Sequence, residues 1–134
     1  MKNTSKRKGF YGLAGLLVAA VALLSTAPAV AHHGWSWAVD EQTELTGTIQ
    51  EISMAPPHPT LRVADLDGTV WQVDLGNPGQ TARSGFTGES AKPGDAVTVL
   101  GNRHRDETKK HMKAVRITIG GINYDMYPDR IRAK

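Results

Sequence analysis

Five histidines are the side chains of this chain best suited to hold a metal ion: His32, His33, His58, His104 and His111. Imidazole nitrogen is a good ligand for copper, which stands at the top of the divalent affinity series. Zinc is the alternative, since three imidazoles would also satisfy it. The chain contains no cysteine, so thiolate metal sites, catalytic cysteines and disulfides are all excluded.

The first 31 residues have the three parts of an export signal. A basic start, Lys2 to Lys8, precedes the apolar stretch Gly9 to Leu24, and Ala29-Val30-Ala31 provides the small residues of a cleavage site. The apolar stretch is shorter than the ~20 residues that cross a bilayer, which favours a cleaved signal over an uncleaved anchor. We therefore expect a periplasmic protein with no stable membrane insertion after processing.

Cleavage after Ala31 would make His32 the first residue of the mature protein. Its free amine and its ring nitrogen can chelate one Cu(II) ion, and His58 is the best candidate for a third nitrogen ligand. His33 and His104 are further candidate ligands, whereas His111 reads more simply as a surface strand residue. The alternative is that the His-His pair is a solvated arm and His58 a hydrogen-bonded turn residue.

Net charge argues against nucleic acid as a partner. Twelve of the sixteen Lys and Arg residues follow Ala31, together with all thirteen Asp and Glu residues. The mature chain is therefore close to neutral, and the basic character of the full chain belongs to the export signal. A nucleic-acid-binding domain would carry a basic patch of its own.

The mature segment predicts an all-β domain. The Asp67-Gly68 pair predicts a tight hairpin turn, and Gly47 predicts a bulge or bend within the first strand. One short helix is expected near Pro78–Ser84. The predicted strands are Thr43–Ile52, Thr60–Ala64, Thr69–Leu75, Ala96–Leu100, His111–Ile119 and a short Ile122–Tyr127.

This order of elements predicts a small OB-like barrel of five or six strands with one short helix between strands three and four. Another small barrel or a sandwich is the alternative, because short strands do not determine topology. The predicted organisation is a signal peptide over 1–31, an N-terminal arm over 32–42, the barrel over 43–127 and a flexible tail over 128–134.

Several short stretches have a recognisable order along the chain. They are the Ala31-His32-His33-Gly34-Trp35 start, Leu45 to Thr48, Pro57-His58 with Leu61, Gly68 to Trp71, Lys92 to Val99 with Gly101, and Ala114 to Ile119. In this order they resemble a family of small exported bacterial proteins of unknown function. Pro56 departs from the family pattern, which usually has asparagine there. The resemblance implies an OB-like barrel in the periplasm and no established activity.

No catalytic signature accompanies the histidines. The chain has no Gly-x-Ser-x-Gly, no phosphate-binding loop and no His-Glu-x-x-His motif. We therefore expect a binding protein without turnover: either a copper-binding module or an OB-type module for a small ligand, a cell-envelope ligand or a periplasmic protein. An oxidase or oxygenase that uses the copper is a third hypothesis, for which the sequence supplies no substrate groove.

Overall fold

A computed structural model describes residues 34–132 as a single β-barrel. Its sheet has the strand order β3-β2-β1-β4-β5-β6, and a parallel pairing of β3 with β5 closes the first five strands into a ring. The all-β, OB-like prediction is therefore confirmed. The predicted signal peptide, His32 and His33 lie outside the described residues.

Residues 34–132 contain six strands and two short helices. One helix, α1, lies between β3 and β4 as predicted; Pro78 begins it, and Asn77 and Gln80 cap it by exchanging side-chain and backbone hydrogen bonds. The elements are β1 Ala38–Ser53, β2 Thr60–Asp65, β3 Val70–Asp74, α1 Pro78–Arg83, β4 Ala96–His104, β5 His111–Ile119, β6 Ile122–Asp125 and a 3₁₀ turn over Pro128–Arg130.

The predicted β2–β3 hairpin is present, with Asp67 and Gly68 in the connection between its strands. The N–H of Gly68 donates to the carbonyl of Asp65 across the turn, and the φ of 82° at Gly68 is one that glycine adopts without strain. The carboxylate of Asp65 accepts hydrogen bonds from the backbone N–H of Asp67 and Thr69 and from the indole of Trp71. These bonds fix the turn and the position of the Trp71 ring.

Two bulges change which side chains of a strand enter the core. On β5 the buried core residues are Met112 and Ala114 and then, after the bulge opposite Gly101, Ile117 and Ile119. Strict two-residue alternation would place these two pairs on opposite faces of the strand. They share one core because the extra residue, Val115, shifts the two-residue alternation by one. A second bulge, on β1, lies just past Ile49 rather than at Gly47.

Strands β1 and β4 are longer than predicted, which corrects the N-terminal boundary of the barrel. β1 begins at Ala38, so part of the predicted arm is strand, and β4 continues to His104. The extension is held by Asn102, whose side-chain amide reaches three successive carbonyls of β1, beginning with Val39 at 3.0 Å. The polar residues Asp40 and Glu41 show no alternation of apolar side chains, so the sequence did not predict a strand there. The extension of β1 is instead held through its backbone groups.

Part of the predicted flexible tail is also ordered. The side chain of Gln42 donates to the carbonyl of Arg130 at 2.6 Å and accepts from the backbone N–H of Arg132. These bonds hold the 3₁₀ turn against the start of β1. Within residues 34–132 no helix is long and apolar enough to cross a bilayer.

Candidate functional site

The N-terminal segment, residues 34–37, covers the outer face of the junction between β3 and β5. Asp74 of β3 and Lys113 of β5 are paired in the parallel ladder, and His111 lies two residues before Lys113. All three alternate with core residues, so their side chains leave the barrel rather than fill it. We call Asp74, His111 and Lys113 the seam residues.

Trp37 stacks on two of the predicted ligands. Its ring centroid lies 4.1 Å from that of His111 and 5.3 Å from that of His104. The two imidazole centroids are 5.9 Å apart. The Nδ1 atom of His104 accepts the backbone N–H of Asp106 at 2.9 Å, which leaves Nε2 as its nitrogen available to a ligand.

Asp74 is the acidic member of the seam. Its Oδ2 lies 2.9 Å from Nε2 of His111, at ion-pair distance although outside hydrogen-bond geometry, and its Oδ1 accepts from the side chain of Gln72. Burial raises the pKa of Asp74, but contact with His111, the bond from Gln72 and the charge of Lys113 outweigh it. The net pKa lies below the usual value, so the carboxylate is ionised at neutral pH.

Lys113 is a cation with almost no exposure to water. Only 2% of the residue surface is accessible, because the rings of Trp35 and Tyr127 cover it; its Nζ lies 5.8 and 5.7 Å from their centroids. Burial lowers the pKa of Lys113, and the nearby charge of Asp74 opposes that change. Trp35 and Tyr127 pack edge to face, with centroids 4.9 Å apart.

His58 lies beside this cluster, in a pocket of about 330 Å³. We call it the His58 pocket; it is lined by Gly34, Trp35, His58, Asn77, Gln80, Lys113, Tyr127 and Arg130. Nδ1 of His58 is buried and has no hydrogen-bond partner within the described part of the chain. Burial, assisted by the charge of Lys113, lowers the pKa of His58. The ring is therefore neutral at pH 7 and its nitrogen lone pair is available.

The structure brings some of the predicted ligands together and separates others. His104 and His111 share the Trp37 stack, whereas His58 lines the His58 pocket next to the seam. Among residues 34–132 no three His, Asp or Glu side chains come close enough to hold a metal ion by themselves. A three-ligand site would need a nitrogen from His32 or His33, which lie outside those residues.

A second concave surface lies on the other side of His104. This groove, of about 410 Å³, is formed by Trp71, Val39, Thr43, Glu41, Glu107 and the cationic or imidazole side chains of Arg103, His104, Arg105, Lys109 and Lys110. The guanidinium of Arg103 and the ammonium of Lys110 lie 4.8 and 5.4 Å from the centroid of the Trp71 ring. We call it the Trp71 groove.

Sequence reasoning missed Asp74, Lys113, Tyr127 and Arg130. The two-residue alternation of β5 does put Lys113 on the outer face, but an outward lysine ordinarily reaches solvent. What buries it is Trp35, seventy-eight positions earlier in the chain. In the sequence, only the alternation of Val73, Asp74 and Leu75 indicated that Asp74 lies on the outer face of the barrel, as Lys113 does.

Comparison with protein families gives one match. A family described as Family of unknown function (DUF6152) matches residues 19–113, a span that includes strands β1 to β4, the first three residues of β5, and His32, His33 and Gly34. No curated protein matches the chain significantly.

Proposed function

The chain belongs to this family of unknown function, and from its geometry we propose that it is an exported protein whose mature N-terminus binds one Cu(II) ion beside His58. The ligands are the amine and ring nitrogen of His32 and Nδ1 of His58. Zn(II) is the alternative ion, because the same nitrogens suit it.

The observation that carries the proposal is the buried Nδ1 of His58, which has no hydrogen-bond partner among residues 34–132. A buried polar atom without a partner costs free energy, so such an atom calls for an explanation. A bound metal ion would supply it, because the lowered pKa of His58 keeps the ring neutral and able to ligate.

A mature N-terminus at His32 would lie near this pocket. Gly34 lines the His58 pocket, and His32 is two residues earlier. Two extended residues span about 7 Å, a length that would let the nitrogens of His32 approach the pocket. Asp74 offsets part of the positive charge that the ion would meet at Lys113.

The proposal predicts a copper affinity that depends on the exact first residue. Mature protein that begins at His32 should bind one equivalent of Cu(II) with nitrogen hyperfine structure in its electron paramagnetic resonance spectrum. One alanine added before His32 should weaken binding at least tenfold, since the chelating amine is lost. His58→Gln should also weaken it at least tenfold, whereas His104→Gln should not.

Titration of Cu(II) and Zn(II) into these four proteins at several pH values is the measurement. Affinity should fall below neutral pH as the amine, whose free pKa is about 8, binds a proton. Equal copper affinity of the native and extended forms would contradict the proposal, and so would a His104→Gln effect as large as that of His58→Gln.

The Trp71 groove supports a second candidate function, the binding of an anionic cell-envelope glycan without metal. Arg103 and Lys110 lie against the Trp71 ring and Arg105 and Lys109 are exposed beside them, whereas Glu41 and Glu107 are the acidic residues of the groove. Such cations attract an anionic chain, and the attraction weakens with salt.

The combined variant Arg103→Gln/Lys110→Gln should bind an anionic oligosaccharide, such as a polygalacturonate fragment, at least fivefold more weakly at low salt. The matched control is Arg62→Gln/Arg83→Gln, which removes the same charge from exposed residues outside the groove. Fluorescence titration compares the two. Absence of binding by the native protein, or an equal loss in the control, rejects this function.

A further inference from the structure

The His58 pocket contains two cations that the copper proposal does not use. We propose that this pocket is also a binding site for a small anion, in which Lys113 and Arg130 bind a carboxylate or phosphate group. The site is independent of the metal and would exist in metal-free protein.

Lys113 is the central observation. It is 98% buried by residue surface, yet it carries an amine whose charged form is costly away from water. The ion pairs of the described residues join Lys92 to Asp95, His111 to Asp74 and Arg116 to Asp125, and none of them includes Lys113. Its ammonium is instead surrounded by the rings of Trp35 and Tyr127, at the wall of the pocket.

Arg130 brings a second positive charge to the same place. Its guanidinium carbon lies 4.2 Å from the centroid of Trp35, the ring that also covers Lys113. Arg130 is exposed and Lys113 is buried, and both line the pocket. An anion between them would contact both cations, and a buried cation gains most from such a partner.

The other groups around the pocket are compatible with an anion beside Lys113 and Arg130. His58 is neutral, and the side-chain oxygens of Asn77 and Gln80 are used in the cap of α1, which leaves their amide N–H groups as donors. The charge of Asp74 acts on Lys113 and Tyr127, and Oδ2 of Asp74 already lies 2.9 Å from Nε2 of His111.

The size of the pocket restricts the ligand. At about 330 Å³ it is at the small end of ligand sites, which suits a compact anion rather than a polymer. Carboxylate and phosphate share the oxygen geometry that Lys and Arg recognise. The aromatic rings of Trp35 and Tyr127 would pack against an apolar body attached to the charged group.

The experiment uses mature protein freed of metal on a chelating resin and titrated at low salt with inorganic phosphate, acetate and benzoate. Binding is followed by tryptophan fluorescence and by the NMR signals of the Lys113 ammonium. We expect at least one of the three anions to bind and to shift those signals. Lys113→Met should weaken that binding at least tenfold and Arg130→Met at least threefold, whereas Lys110→Met, which removes a charge near Trp71, should not change it.

Comparison of the three test anions indicates which chemical class of ligand the pocket prefers. Preference for phosphate points to a phosphorylated ligand, and preference for benzoate over acetate points to an organic acid with a flat body. The protein with one alanine added before His32 should bind the anion as well as the native form does. Failure of the copper proposal would therefore leave this result intact.

Two results overturn the proposal: no binding of any of the three anions at tens of millimolar, or unchanged affinity in Arg130→Met. Arg130 is exposed, so we expect its replacement to leave the barrel folded, and this variant decides the question even if Lys113→Met fails to fold. Near-ultraviolet circular dichroism checks the fold of each protein.

Discussion

Gly101→Ala should lower the free energy of unfolding by about 3 kcal/mol or prevent folding altogether. A β-carbon at Gly101 would lie 2.2 Å from the carbonyl oxygen of Lys113 and 3.1 Å from the α-carbon of Ala114. Both contacts are with backbone, which cannot rotate away as a side chain could. The strands would have to separate at the bulge of β5, where the core alternation shifts and where Lys113 is oriented.

Urea unfolding monitored by circular dichroism measures the effect. Gly34→Ala is the matched control, since a β-carbon there meets nothing within 4 Å; its unfolding free energy should remain within about 0.5 kcal/mol of the native value. If Gly101→Ala is as stable as Gly34→Ala, the close approach of β4 to β5 at this position is not required.

Asp74→Asn is expected to have the second-largest effect, a loss of about 3 kcal/mol at pH 7. The side chain is only 13% exposed and is the anionic partner of His111. Its charge also raises the pKa of the buried Lys113. The amide would remove the nearby negative charge that favours the charged form of Lys113, which costs more than the loss of an exposed ion pair.

The pH dependence of stability should change in a definite direction. Because the pKa of Asp74 is lowered in the folded state, its stabilising contribution is complete above the unfolded value of about 3.9 and is lost as pH falls through the folded value. Asp74→Asn should therefore flatten the acid limb of the stability curve and weaken the protein most at neutral pH.

Asp125→Asn serves as the control, because Asp125 pairs with Arg116 where both side chains are about one-third exposed. It should cost at most about 1 kcal/mol. The two variants are compared by urea unfolding between pH 2 and pH 7. Equal losses in both would mean that Asp74 acts as an ordinary surface carboxylate.

The strands and turns were largely predictable because their signals are local. Alternation over Trp71, Val73 and Leu75 marks a half-buried strand, Gly68 marks the turn before it, and Pro78 marks the start of α1. The boundaries at Ala38 and His104 were not predictable, since Asn102 holds that extension through backbone carbonyls sixty residues away.

For the candidate site, the sequence identified the residue types and not their surroundings. His58 is recognisable as a histidine in a loop, but the burial of its Nδ1 depends on elements far along the chain. His104 and His111 are separated by six residues, and only the β4–β5 hairpin and Trp37 bring their rings together.

The amino-acid sequence by itself determined the β-rich class, the order of elements and the supply of nitrogen ligands, because each depends on residue type and short-range periodicity. The tertiary structure alone decided which outward side chains are removed from water. Lys113 and Asp74 alternate out of the core like any surface pair, but Trp35 and Tyr127 cover the lysine and His111 contacts the carboxylate. Burial is a property of what packs over a residue, so only the folded N-terminal segment turns this surface into a pocket.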